Sequence, residues 1–339
     1  GGQTPLKLAK QLNDAGVRLL GTPFESIDRA EDREKFADML TKLKLKQPRN
    51  GLARSLQDAE KIAAKISYPI LVRPSYVLGG RAMMVAESKI QLAEYFKEAI
   101  QVSPEHPVLI DQFLQGAVEI DMDLLGDGIN SELGGILEHV ERAGIHSGDS
   151  ACILPPQNLT SDVLRRLEEQ GKALAKELQV KGLMNIQFAV KDDEIFLIEV
   201  NPRSSRTVPF VSKAIGHPLA KYATWLMLGL NLSEIGFSYE VPETVSVKET
   251  VFPFVSFAGA DTELGPEMKS TGEVMGRGKN LEEVFIKAQI AAYQSEIKQG
   301  HVFIGVTDRD KQGIIPAAFE FQKAGRKILA TAGTYKVLE

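Results

Sequence analysis

The sequence predicts an α+β protein in which antiparallel strands are interspersed with helices. Three observations lead there. NIQFAV–KDDE–IFLIEV (residues 185–200) is two strand-like runs around a polar turn, the pattern of a β-hairpin. VLIDQFL and AVEIDMDLLGD read as two further strands joined through Gly116. Between such pairs lie helical stretches, as in Leu164 to Leu178, where apolar residues recur at 164, 167, 174 and 178. Paired strands with helices set between them indicate α+β organisation, not a doubly wound parallel sheet.

Taken in order, Thr4 and Pro5 form an N-cap and first-turn pair. Leu6, Ala9 and Leu12 follow at helical spacing, and VRLLGT (17–22) reads as a short strand. Residues 1–22 thus look like the last αβ unit of a preceding domain. SIDRAEDREKFADMLTKLKL reads as one amphipathic helix with Phe36, Met39, Leu40 and Leu43 on one face. YPILVRPS is a strand, VLGGRAMMVA a glycine-containing turn entering another, Lys89 to Gln101 a helix, and ELGGILEHVE a strand. GIHSGDSACILPP is too polar for a core strand and too short for a helix, and Leu219 to Leu232 reads as a core helix. From His301 onward the pattern is strand, helix, strand and a Thr-Ala-Gly-Thr turn, the βαβ opening of a parallel α/β unit.

Bulk properties narrow the class. A chain of 339 residues exceeds one ordinary core, and 43% hydrophobic with 25% charged residues describes a soluble globular protein. Its 45 acidic and 40 basic residues are well mixed, with no Lys/Arg block, which argues against a nucleic-acid partner. Cys152 is the single cysteine, so there is no disulfide framework or cysteine zinc site, and a reducing compartment is the simplest reading. The histidines (106, 139, 146, 217 and 301) form no H-E-x-x-H or H-x-H. No apolar run reaches the roughly 18 residues of a membrane span. The GGQTP start carries neither an initiator Met nor a signal-peptide pattern, which suggests an excised fragment.

The residues able to carry chemistry cluster on strands. In FLIEVNPRSSRT, Glu199 and Asn201 share one strand face, as do Asn185 and Gln187 on the partner strand. A three-residue loop (192–194) sets Gln187 opposite Glu199 and Asn185 opposite Asn201; a two-residue loop sends Gln187 to the wrong side. In the first register, oxygen-bearing side chains converge, a donor set that suits Mg²⁺ or Mn²⁺ completed by nucleotide oxygens. Arg203 and Arg206 follow Pro202, placed to neutralise oxyanions. Arg73 interrupts an apolar strand and needs a partner or a function; Gly79 and Gly80 beyond it allow close backbone approach to phosphate. The exposed strand end at Gln112 to Leu114, with free backbone N–H and C=O, can read an adenine edge, and Glu119 can reach ribose hydroxyls. Each feature alone has a plainer reading: a solvated hairpin face, a surface loop, a hairpin Gly-Gly, a polar turn, an uncommitted His146. GEVMGRGKN fails the P-loop spacing, and neither a serine nucleophile elbow nor G-x-G-x-x-G occurs.

Together, GGQTPLKLA, AEDREKF, RPSYVLGG, LIDQFL with AVEIDMD, EHVERAGIHSGDSACILPP, NIQFAV with FLIEVNPRSSRTVPFVSKA, and MKSTGEVMG resemble the ATP-grasp domain of carbamoyl phosphate synthetase large chains. GGQTPLKLA and HSGDSACILPP are similar to the second, carbamate-phosphorylating half. The resemblance implies an ATP-grasp fold, two α+β subdomains clamping ATP, over residues 23–235, with a nucleotide lid at about 65–130. Residues 1–22 would then end a Rossmann-like preceding domain, 236–295 complete the synthetase unit, and 296–339 begin a methylglyoxal-synthase-like regulatory domain. It implies that Arg33 and Arg73 contact nucleotide phosphates under the Gly79–Gly80 loop. It further implies that Gln112 and Leu114 meet adenine, Glu119 the ribose, and that Gly144, Ile145, His146 and Ser147 line the pocket. Gln187, Glu199 and Asn201 would hold Mg²⁺ or Mn²⁺, Arg203 and Arg206 with Asn201 would face the transferred phosphoryl group, and Glu119, His139 and Ser150 would form a potassium site. The implied reaction is MgATP plus carbamate giving ADP plus carbamoyl phosphate, in a cytoplasmic enzyme of pyrimidine and arginine biosynthesis. Its implied partners are the rest of the large chain and a glutaminase small subunit, with no nucleic acid or membrane. Another ATP-grasp ligase, such as a biotin carboxylase or a purine-pathway synthetase, and an inactive nucleotide-binding regulatory fragment are the rival readings.

Overall fold

Short helices open the chain: α1 (Gln3–Leu6) and α2 (Ala9–Asp14). The computed structural model describes residues 3–74, 82–102, 105–257, 259–293 and 300–339, so Gly79 and Gly80 lie outside the described residues. VRLLGT, expected as a strand, is irregular, because none of the sheets offers it a neighbour to complete a ladder. Thr22 ends it by accepting Lys181 N at Oγ1 (3.1 Å).

The helix expected across residues 26–45 is two helices, α3 (Phe24–Glu31) and α4 (Arg33–Leu43). Asp32 between them is extended (ψ 125°), and its Oδ1 accepts from Glu34 N and Lys35 N at 3.0 Å each. An Asx cap of this kind satisfies two orphan donors of α4, and that competes successfully with continuing the helix. Phe36, Met39 and Leu40 are buried as the amphipathic pattern requires. Asp32→Ala is expected to cost about 1 kcal/mol, read as a lower urea midpoint with an unchanged slope.

A small sheet follows, from β1 (Asn50–Ala53), α5 (Leu56–Ile66), β2 (Ile70–Arg73), β3 (Met84–Ala86), α6 (Lys89–Val102) and β4 (Val108–Gln112). Its order is β1-β4-β2-β3, antiparallel throughout. Ala59 and Ala63 of α5 and Leu92 and Phe96 of α6 pack with Ile70, Val72 and Ile110 in one core. This subdomain therefore runs from Asn50 to Gln112, earlier at both ends than the 65–130 expected for a lid. Residues 118–127 pair elsewhere.

They form β5 (Val118–Asp127), an interior strand of a large sheet with β6 (Ser131–His139), β7 (Cys152–Leu154), β8 (Lys181–Lys191), β9 (Glu194–Asn201), β10 (Val245–Val251) and β11 (Gly272–Gly278). Its order is β11-β10-β7-β6-β5-β8-β9, again antiparallel. Helix α7 (Ser161–Glu177) covers one face with α4, burying Leu167 and Leu174 on Met122, Leu124 and Ile186. The opposite face carries α8 (Val208–Ile215) and α9 (Leu219–Leu228), where Val211 and Leu226 meet Leu125, Leu137 and Leu183. The helix expected through Leu232 stops at Leu228, because Gly229 takes the left-handed C-cap conformation (φ 116°); α10 (Leu232–Ile235) restarts after it. Helix α11 (Leu281–Tyr293) packs its Val284 and Ala288 on Val245 and Val247. The polar GIHSGDSACILPP segment does contain a core strand after all, since Cys152, Ile153 and Leu154 are buried in β7.

The β8–β9 hairpin corrects the loop and keeps the register. Lys191 pairs with Glu194, so the turn has two residues, Asp192 and Asp193, both left-handed at φ 51° and 60°. A two-residue turn alone would place Gln187 on the wrong face. A bulge restores it: Phe188 pairs with Leu197 but Gln187 with Glu199, leaving Ile198 as the extra residue. Asn185 then faces Asn201.

The chain divides into two compact units, Gly1–Ala292 and Tyr293–Glu339. In the second, β12 (Val302–Ile304), α12 (Ile315–Lys323) and β13 (Ile328–Ala330) form the expected parallel βαβ, with Val302 opposite Ile328. The Thr-Ala-Gly-Thr turn is instead a helix start. Thr331 is extended ahead of α13 (Ala332–Leu338), where Gly333 and Thr334 continue helically. Among the described residues no helix is long and apolar enough to cross a membrane.

Candidate functional site

Where the small sheet meets the large one, a cleft opens. Arg33, Arg73, Gln112, Leu114, Glu119 and Gly144, six of the residues singled out from sequence, line it together. Its apolar wall is Leu114, Ala189, Leu197 and Ile198. Such a wall accepts the face of a planar base, with polar groups at the rim to orient it.

Part of the strand end expected to read that base is already bonded within the chain. Gln112 N is not free: it donates to Arg49 O (2.7 Å), and Gln112 Oε1 accepts from Arg49 Nε (3.2 Å). Leu114 O accepts from Ala117 N (3.1 Å). Gln112 therefore shapes the cleft through a braced side chain instead of an open N–H.

Glu119 opens β5 and turns into the cleft, where Oε1 accepts from Gly144 N (2.9 Å). Burial raises its carboxyl above the ordinary range, opposed by the charge of His139 and by the Gly144 N–H. Gly144 must be glycine: its φ is +93°, and a Cβ would sit 2.6 Å from the Phe113 ring. Arg73 is paired, as an apolar strand demands, with Asp111 Oδ2 (3.2 Å). Burial pushes the Asp111 carboxyl up, while Arg73 and Arg33 pull it down.

Gln187, Glu199, Asn201, Arg203 and Arg206 do not line the cleft; they continue the strands whose Ala189, Leu197 and Ile198 do, at the polar end of the hairpin. Gln187 Nε2 donates to Ser147 Oγ (2.8 Å), Asn201 Nδ2 to Glu199 Oε1 (2.6 Å), and Arg203 Nη2 to Asn201 Oδ1 (2.8 Å). Arg203 also donates to Ser204 O (3.1 Å), and Arg206 lies against the Met268 sulfur. The donor set of Gln187, Glu199 and Asn201 is all oxygen with a single carboxylate, which fits a hard divalent cation sharing its shell with phosphate oxygens. Among the described residues no group of three His, Cys, Asp or Glu side chains could hold a metal by itself.

His146 and Ile145 sit in the 144–151 loop and are not part of the cleft wall. His146 Nδ1 accepts from Gly148 N (3.0 Å) and its N donates to Gly265 O (2.9 Å). Burial lowers its pKa, so the ring is neutral and works as a loop brace. Asp149 ties the same loop to residues 269–270 by accepting Lys269 N (2.8 Å) and Ser270 N (2.9 Å). Lys248, 2% exposed, reaches Ser147 O (3.3 Å).

The expected potassium trio is only partly suitable. Glu119 and Ser150 offer oxygens, but His139 Nε2 is bonded to Asp121 Oδ2 (2.9 Å), and its Nδ1 is 3.6 Å from Glu119 Oε2. Burial lowers its pKa, yet the neighbouring Cys152 and the Asp121 carboxylate raise it well above the ordinary histidine range. The His139 side chain offers no oxygen and its Nε2 is already engaged by Asp121, so no step is assigned to potassium.

Asp111, Asp121, Asp123, Asp149 and Lys248 were not singled out from sequence. For two of them a signal existed: Glu119, Asp121 and Asp123 alternate in AVEIDMD, so all three share one face of β5.

The family model described as carbamoyl-phosphate synthase L chain, ATP binding domain, matches residues 32–235. The chain belongs to this family. The carbamoyl phosphate synthase large chain of Methanothermobacter thermautotrophicus is 52% identical over the whole of this chain, which spans 32% of that protein. The C-terminal section of the Aquifex aeolicus large chain is 50% identical, with 100% of this chain and 66% of the relative covered. This member of the carbamoyl-phosphate synthase large-chain family thus spans about a third of the length of most curated relatives it matches. Among solved structures, the biotin carboxylase domain of the Hydrogenobacter thermophilus 2-oxoglutarate carboxylase, determined with MgADP and bicarbonate, superposes with a TM-score of 0.69. It is 17% identical, with 86% of this chain and 71% of that chain covered. The likeness establishes the ATP-grasp fold.

Proposed function

We propose that this chain catalyses ATP-dependent phosphorylation of carbamate, yielding carbamoyl phosphate and ADP. A carbamate oxygen attacks the γ-phosphorus as the bond to the β-phosphate oxygen breaks. The observation that carries the reading is the bulged hairpin: Gln187 stands opposite Glu199, with Asn201, Arg203 and Arg206 following, on the two strands whose Ala189, Leu197 and Ile198 line the cleft. Phosphoryl transfer needs positioning and charge neutralisation more than a nucleophilic side chain, and these residues supply both.

In this reading Arg33 and Arg73 meet the nucleotide phosphates. Leu114 packs on adenine beside Gln112, and Glu119 accepts from the ribose. Gly144, Ile145, His146 and Ser147 shape the pocket, Ser147 by holding Gln187. Gln187, Glu199 and Asn201 hold Mg²⁺ or Mn²⁺, whose charge spreads over the phosphate oxygens when it is bound. Arg203 and Arg206, with Asn201, face the phosphoryl group in transfer, Arg203 poised by its bond to Asn201. Residues 1–22 end a preceding domain, 23–235 form the ATP-grasp domain, 236–295 complete the unit, and 296–339 begin a regulatory domain. The parent enzyme is cytoplasmic, serves pyrimidine and arginine synthesis, and takes its nitrogen through a glutaminase partner.

The test is ATP formation from carbamoyl phosphate and MgADP by this chain. The expected result is ATP appearing in step with loss of the acyl phosphate. A chain that binds MgADP tightly yet forms no ATP would overturn the reading and favour a nucleotide-binding regulatory fragment.

A further inference from the structure

Asp123 is a buried carboxylate that the proposed function does not use. It lies two residues beyond Asp121 on the same face of β5 and is 1% exposed. Its Oδ1 accepts from Ser205 Oγ (2.8 Å) and Asn185 Nδ2 (3.1 Å), and its Oδ2 from Thr207 Oγ1. The two hydroxyls are themselves 2.7 Å apart. Asn185 Nδ2 also reaches Asp121 Oδ1 (3.2 Å), so the carboxylate is braced on the sheet side as well.

The two hydroxyl residues flank Arg206. They stand in the stretch between β9 and α8: Thr207 is the N-cap of α8, its O accepting Val211 N (2.8 Å), whereas Ser205 lies where no ladder or helix fixes the backbone. An arginine on such a stretch brings considerable rotamer freedom, and its usefulness depends on what holds its main chain. Burying a carboxylate is costly, and a purely structural tie would be as well served by apolar packing. Here the cost is met by three donors, two of which come from the residues on either side of one candidate catalytic group. Burial raises the Asp123 carboxyl to about 6 against the pull of Thr207, Ser205 and Asn185, so it is ionised at neutral pH and accepts from all three.

We propose that Asp123 is a positioning residue which, by clamping Ser205 and Thr207, fixes the backbone on both sides of Arg206 and so aims the Arg203–Arg206 pair at the transferred phosphoryl group. The inference rests on the proposed function for its kinetic consequence, and on geometry alone for its effect on the loop. Asp123 touches neither nucleotide nor carbamate in this arrangement. Its loss therefore acts on the rate of transfer and leaves nucleotide affinity in place.

Thr207→Val removes one hydroxyl at nearly constant shape, and Thr207→Ser returns it. Hydrogen exchange at residues 203–208 and steady-state ATP formation from carbamoyl phosphate and MgADP are measured on both and on wild type. In Thr207→Val, exchange there is expected to accelerate about tenfold and kcat to fall about 10- to 100-fold, the scale of a small misplacement of catalytic groups. KM for MgADP should stay within about twofold of wild type, and Thr207→Ser should restore both readouts. Unchanged exchange overturns the inference, as does an unchanged kcat, or a serine variant as impaired as the valine one. Should Thr207→Val not fold, Ser205→Ala, which removes the 2.8 Å bond to Asp123 and the 2.7 Å contact with the Thr207 hydroxyl, carries the same readouts. A wild-type chain that forms no ATP sinks the proposed function instead, and exchange then decides the clamp by itself.

Discussion

Glu199→Gln is expected to lower kcat for ATP formation by about 10²- to 10³-fold, the range seen when one preorganised electrostatic group is removed from a transition-state site. Glu199 is the only carboxylate among the three candidate metal donors. Magnesium holds its water tightly and is retained at such sites through one or two carboxylates, so an all-amide set would bind it poorly. The substitution is close to isosteric, and a glutamine oxygen can still accept the 2.6 Å bond from Asn201 Nδ2. Glu199 is also exposed, so the fold loses little. The readouts are kcat and the magnesium concentration for half-maximal rate, which should rise; thermal stability should not move. Equal rates and equal magnesium dependence in the two proteins would remove Glu199 from the metal site.

The second large effect is on stability. Gly126→Ala is expected to destabilise the chain by about 3 kcal/mol, because overpacking against backbone cannot relax cheaply. A Cβ at Gly126 would lie 2.3 Å from Val180 O, which already accepts Gly128 N at 2.8 Å. Relieving the clash means moving the segment that leads into β8, or breaking that hydrogen bond where β5 and β8 pair. A fall in Tm of about 6–12 °C follows for a domain of this size, measured by circular dichroism. Gly272→Ala is the control: nothing lies within 4 Å of its Cβ position, and its change should stay within about 0.5 kcal/mol. Similar melting of both variants would refute the argument.

Long periodic elements were legible in the sequence because burial of one face decides them. Leu167 and Leu174 on α7, Leu92 and Phe96 on α6, and the buried runs of β5 and β8 all lie where periodicity puts them. Breaks were less legible. At Asp32 a side-chain cap ends one helix and starts the next, and at Gly229 a left-handed residue stops α9, each a local event within an apolar pattern that runs on. VRLLGT has strand-like composition, but a strand exists only with a neighbour, and sequence names no neighbour.

The site divides in the same way. Residue types and their alternation determined that Glu199 and Asn201 share a face, that Arg73 needs a partner, and that Glu119, Asp121 and Asp123 line one side of β5. The tertiary structure alone decided which groups meet. Asp111 answers Arg73 from a neighbouring strand, and the bulge at Ile198 cancels the slip that a two-residue turn imposes, so that Gln187 faces Glu199. The reason is physical: a strand's side-chain period is written along the chain, but register depends on turn conformation and on one unpaired residue, and both are settled by packing against the rest of the sheet.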